Sequence, residues 1–161
     1  MADEDLHRFE EWFGRIIAGL APERRARASV KLGQELRRAN LKRIADNVEP
    51  DGSAMEGRRK RLDRRGRLRA RAGKRMFRGL KALRNWKLSA DAEGLEITPV
   101  NGLVDRIASI SQFGETATVG RTYDGRRIRH RYAMRRLLGF SADDDATVID
   151  VAADLIEGGL R

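Results

Sequence analysis

The residues with the most concentrated chemical character in this chain are cations. Arg58, Arg59, Lys60, Arg61, Arg64, Arg65, Arg67, Arg69, Arg71, Lys74 and Arg75 stand close together, with Asp63 the one acid among them. Guanidinium forks grip phosphates or carboxylates through paired hydrogen bonds, and a row of them adheres to a polyanion with an affinity that falls as salt rises. A short charge run is more often a solvated face. At this density an anionic partner is the better expectation. No zinc finger, homeodomain or RNP-type aromatic pattern accompanies the charge, so base-specific reading is not expected.

Other chemistries lack their parts. The two histidines, His7 and His130, are far apart in sequence and read as surface imidazoles beside acidic and basic neighbours, and there is no cysteine to act as nucleophile, zinc ligand or disulfide half. Neither the P-loop nor the dinucleotide-binding glycine pattern occurs, and no serine sits in a G-x-S-x-G elbow. Asp143, Asp144 and Asp145 open a helical pattern, where the positive end of the helix dipole explains consecutive acids without a metal. The expectation is a chain that is not an enzyme and takes no cofactor or metal.

The charge is unevenly placed. Of 161 residues, positions 1–57 carry 10 basic and 11 acidic side chains, 58–87 carry 15 and 1, and 88–161 carry 9 and 12. A slightly acidic scaffold thus holds one cationic stretch. The length suits a single domain over 1–161 with one modest core. No long apolar run or signal peptide is evident, so synthesis in the cytosol without membrane insertion is expected.

The elements that must carry the basic stretch can be read from periodicity. Leu6, Phe9, Phe13, Ile16, Ile17 and Leu20 give an amphipathic helix over 5–19. Pro22, which suits the first turn of a helix, opens a second one running to about Asn47. Its apolar positions, Val30, Leu32, Leu36, Leu41, Ile44 and Val48, span more than one stripe, predicting neighbours on two sides. Pro50-Asp51-Gly52-Ser53 is a stop and turn. Residues 57–75 have too few apolar side chains to offset their own ordering entropy, so a long basic loop, mobile until a partner engages it, is expected.

Met76, Phe77, Leu80, Leu83 and Trp86 recur at helical intervals and predict a third helix from Lys74. Trp86–Ala90 and Gly94–Thr98 read as a hairpin, and Leu103 to Ile110 as a helix that Gly114 caps. Thr116–Tyr123 and Arg126–Arg131 flank Asp124-Gly125, a two-residue hairpin connection. Ser141 and Asp144 form a capping box before a last helix with Val148, Ile149, Ala152, Leu155 and Ile156 on its apolar face. The predicted class is α+β: N-terminal helices and a C-terminal helix packed on a small antiparallel sheet.

Three blocks stand in a set order along the chain. The first is Asn47-Val48-Glu49-Pro50-Asp51-Gly52-Ser53 leading into Gly57-Arg58-Arg59-Lys60. The second runs from Leu103 to Gln112-Phe113-Gly114, and the third is Arg131-Tyr132-Ala133-Met134-Arg135-Arg136-Leu137-Leu138-Gly139-Phe140-Ser141. In this order they resemble the tail-completion, or virion morphogenesis, family of contractile-tailed and Mu-like bacteriophages. Ser111 stands where the family usually has His, and Ala133 where it usually has Pro. The blocks single out Pro50, Asp51, Gly52, Gln112, Phe113, Gly114, Arg131, Tyr132, Arg135, Leu137, Leu138 and Gly139 as structural or interface residues.

The resemblance implies a structural virion protein, located in the tail or neck, that completes the tail and supports its joining to the head. It implies work as a ring, commonly a hexamer. Partners would be copies of itself, the tail tube, sheath or terminator proteins, head-neck connector proteins and packaged DNA in the lumen. A cytosolic nucleic-acid-binding module is the alternative reading of the charge. It leaves the second and third blocks unexplained.

Overall fold

The structure is a computed structural model, which describes residues 14, 19–57 and 76–157. The helix expected over 5–19, apart from Gly14 and Gly19, and the whole cationic run 58–75 lie outside the described residues.

Helix α1 spans Pro22–Asp46, opening with its proline and ending at Asn47, whose φ of 59° reverses the chain. The N–H of Val48 then closes back on the Arg43 carbonyl at 3.0 Å, satisfying a carbonyl at the helix end. Two sides of α1 are engaged, as its split stripe predicts. One side packs on the hairpin of β1 (Trp86–Ala90) and β2 (Leu95–Pro99), and the other on the C-terminal helix. Gly33 makes the first contact close, because a Cβ there would lie 2.5 Å from Leu88 Cδ1. Val30, expected inside, is exposed.

Helix α2, Gly102–Phe113, is capped at its start by Asn101, whose side-chain oxygen accepts from the N–H groups of Leu103 and Val104. It ends at Gly114 with φ 66°, the left-handed cap expected for that glycine. A second antiparallel hairpin follows, β3 (Thr116–Arg121) with β4 (Arg127–Arg131). Helix α3, Ala142–Glu157, completes the described chain. Ser141 and Asp144 form the reciprocal capping box, the Ser141 N–H donating to Asp144 Oδ2 at 2.9 Å and the Asp144 N–H to Ser141 Oγ at 3.3 Å.

The architecture is α+β. Among the described residues the strands form two separate two-stranded sheets in place of one. The core joins Leu41 and Ile44 of α1, Met55, Met76, Phe77, Leu80 and Trp86, Val104 and Ala108 of α2, and Leu137.

Three local expectations are corrected. Residues 76–86 form turns and a short 3₁₀ segment, Leu83–Asn85, instead of a third helix. Phe77 adopts φ 56°, and Trp86 Nε1 donates to the Leu80 carbonyl at 2.5 Å, so tight turns bury the apolar side chains that helical spacing had grouped. Leu83 is left exposed. The β3–β4 connection is also longer than two residues. Thr122 N–H donates to the Arg126 carbonyl and Gly125 N–H to the Thr122 carbonyl, so Tyr123, Asp124 and Gly125 (φ 82°) form a three-residue loop. On α3 the inner face is set by Val151, while Ile149 and Ile156 are exposed.

Between α1 and α3, Lys31 Nζ donates to Asp154 Oδ2 at 2.8 Å, which holds the ammonium above its ordinary pKa. Arg24 adds a bond to the Leu155 carbonyl at 3.2 Å.

Candidate functional site

The three sequence blocks converge on one feature. Residues 133–141 run from β4 to α3 with no strand ladder, so their backbone groups need partners from elsewhere. Those partners are chiefly side chains of α1 and α2. Gln112 Oε1 accepts from the N–H groups of Leu137 (2.7 Å) and Leu138 (3.0 Å), and its Nε2 donates to the Leu138 carbonyl at 3.1 Å. Asn40, buried on α1, accepts the Gly139 N–H at 3.1 Å and donates to its own helix at the Leu36 carbonyl. Held this way, Leu137 is 1% exposed and Leu138 packs against the core.

Arg43 grips the far end. Its guanidinium donates to the Gly139 carbonyl at 2.9 Å and to Ser141 Oγ at 3.0 Å, and approaches Asp144 Oδ2 at 2.7 Å. The Asp144 side chain is only 3% exposed, so this is an inward-facing ion pair that fixes the start of α3 against α1.

The first block meets the third directly. Pro50 is buried, and a Cβ on Gly139 would lie 2.7 Å from Pro50 Cγ, so glycine is what lets the two chains touch. Asp51 Oδ1 accepts from Ser53 N–H at 2.9 Å and Ser53 Oγ at 2.6 Å around Gly52, whose φ is 84°. These Ser53 bonds, with Arg136 beside them, hold the Asp51 carboxyl below its usual range. Arg136 spans the turn, reaching Glu49 Oε2 at 2.9 Å and pairing with Asp51 Oδ2.

Arg135 marks the threshold of the cationic run. It is buried, its N–H donates to the Ser111 carbonyl at 2.7 Å, and its guanidinium donates to the carbonyls of Glu56 (2.6 Å) and Gly57 (3.3 Å). Arg58 is the next residue. On the far side of the run Met76 and Phe77 are buried in the same core cluster as Met55. Ser111, where the resemblance led to an expected His, is buried and donates from Oγ to the Ile107 carbonyl at 2.9 Å.

The remaining residues of the blocks sit at the edge of this clasp. Gly114 allows the close approach of Met134, whose N lies 2.9 Å from where a Cβ would be. Tyr132 N–H donates to the Glu115 carbonyl, and its ring packs edge-on against His130 at 4.9 Å between centroids. Phe113 and Arg131 are exposed. Asn40 and Arg43, central to the clasp, were missed from sequence. Each lies nearly a hundred positions from its partners, and neither spacing nor composition marks such a bond.

The polar groups of the clasp are therefore directed at the chain's own backbone and at one another, as in a structural device. Among the described residues no group of three or more His, Asp or Glu side chains is placed to hold a metal ion, and no helix is long and apolar enough to cross a membrane.

The comparisons with known proteins agree in direction. The model of the phage virion morphogenesis family matches residues 4–157, and the chain belongs to that family. It is similar to tail completion protein S of Escherichia phage P2, with 30% identity over 140 residues, covering 87% of this chain and 89% of that protein. No solved structure matches.

Proposed function

We propose that this protein is a structural, non-enzymatic subunit of the phage tail that completes the tail and supports its joining to the head, working as a ring at the tail or neck. The observation that carries the reading is the nearly end-to-end match to a tail completion protein. The clasp is compatible with it, since polar residues from all three blocks, among them Asp51, Gln112 and Arg135, fix the body's shape. A ring needs each subunit to offer two different complementary faces, and it closes when the rotation between copies divides the circle. Other partners would be tail tube, sheath or terminator proteins and head-neck connector proteins.

The run from Arg58 to Arg75 supplies the contact with an anion, either packaged DNA in the lumen or an acidic protein rim. The test is removal of the gene from a phage that carries it, followed by electron microscopy. Defective or unjoined tails, restored by supplying the protein in trans, are expected. Normal infectious particles would refute the proposal. If the chain instead acts as a free nucleic-acid-binding module, particles form normally and the purified chain retains duplex DNA or RNA with a steep loss on adding salt.

A further inference from the structure

Two surfaces of the described chain carry an excess of one charge over their ion pairs, and they have opposite signs. The register of the β3–β4 ribbon pairs Thr116 with Arg131, Thr118 with Arg129 and Arg121 with Arg127. Directly opposed residues share a face, so one side of the ribbon presents four arginines. Arg121 and Arg127 face each other as a like-charge pair, which weakens the ladder. None of the four has an ion-pair partner among the described residues, where the ribbon's own pair is Arg126 with Asp124. The ribbon is exposed along most of both strands, and a two-stranded hairpin alone is marginal in water.

Helix α3 is the counterpart. It contains no basic residue. Asp144 and Asp154 are taken by Arg43 and Lys31, whereas Asp143, Asp150 and Glu157, all exposed, recur every seven residues and line one edge of the outer face. Ile149 and Ile156 are exposed about 100° further round the same outer face. We propose that the arginine face of the ribbon in one copy docks on this acidic outer face of α3 in the next copy.

Charge complementarity selects the occupant, and geometry permits it. At about 3.4 Å per residue the Arg127–Arg131 row is roughly 14 Å long, within the roughly 21 Å from Asp143 to Glu157 along the helix. Arginine stems laid over Ile149 and Ile156 would cover the apolar surface while their heads reach the carboxylates. The two faces are different parts of one chain, so the contact is heterologous, the kind that can close a ring. The inference rests on the ring reading and says which surfaces form it.

The test uses two full-length variants, R127E/R129E and D150K/E157K, followed by light scattering after size exclusion at low salt. Each alone should associate about a hundredfold more weakly than the wild type, since like charges then oppose across the contact. An equimolar mixture should recover association, because each reversed face meets a reversed partner. Association unchanged in either variant, or not recovered on mixing, overturns the inference while leaving the ring reading standing.

A ribbon variant that keeps its association but loses retention of duplex DNA assigns the ribbon to nucleic acid and likewise overturns it. If the wild type associates only on the tail, the absence of native cysteine makes R129C/D150C informative. A disulfide-linked ladder in isolated tails supports the contact, and its absence overturns it. A wild type that is monomeric both in solution and in tails removes the ring reading itself.

Discussion

The ion pair of Arg43 and Asp144 is the sharpest place to test how the clasp is held. Its side chains are 14% and 3% exposed, and Arg43 Nε has no hydrogen-bond partner among the described residues, so water offers little compensation if one member is lost. Arg43→Met removes the bonds to Gly139 and Ser141 and leaves a buried carboxylate uncompensated. Breaking an inward-facing pair from one side costs about 3–5 kcal/mol. Asp144→Asn should cost less, about 2 kcal/mol. It keeps an acceptor for the Ser141 N–H, and Arg43 keeps its contacts to Gly139 and Ser141. In the double variant neither charge is stranded, so the total should fall short of the sum by at least about 1.5 kcal/mol. Urea unfolding of all four proteins, followed by circular dichroism, measures this. A loss below about 1 kcal/mol for Arg43→Met would place the pair with solvent-screened surface bridges and refute the reasoning.

Gln112→Ala removes three backbone partners from Leu137 and Leu138 and should cost about 3 kcal/mol in the same assay, with Gln112→Glu costing less because both N–H donors keep an acceptor. Gly139→Ala forces a methyl to within 2.7 Å of Pro50 and should destabilise by about 1–3 kcal/mol, and Pro50→Ala in the same chain should recover part of the loss. The folded state holds the Asp51 carboxyl low. Its stabilising share is therefore complete above the ordinary carboxylate pKa and is lost as pH falls through the depressed value. NMR titration of Asp51 should show its pKa move upward in Ser53→Ala, the variant that removes the hydroxyl donor.

Local rules made much of this fold legible. Pro22, Gly114 and the Ser141–Asp144 box place helix ends correctly because each acts through a few neighbouring residues. Residues 76–86 show the limit. Spacing grouped Met76, Phe77, Leu80, Leu83 and Trp86, and all but Leu83 are buried, yet it cannot tell a helix from tight turns that bury the same side chains. The site was legible only through the resemblance. Pro50, Gln112, Arg135 and Gly139 were picked out as a set, but what unites them is close packing and side chain to backbone bonding across long stretches of chain, and Asn40 and Arg43 carry no local mark of it. The cationic run was evident from composition alone.

Met55 before the arginine-rich stretch and Met76 and Phe77 after it are seated in a single cluster. A pull on either flank is therefore delivered straight to the hydrophobic interior, and the two flanks cannot be drawn apart without opening it.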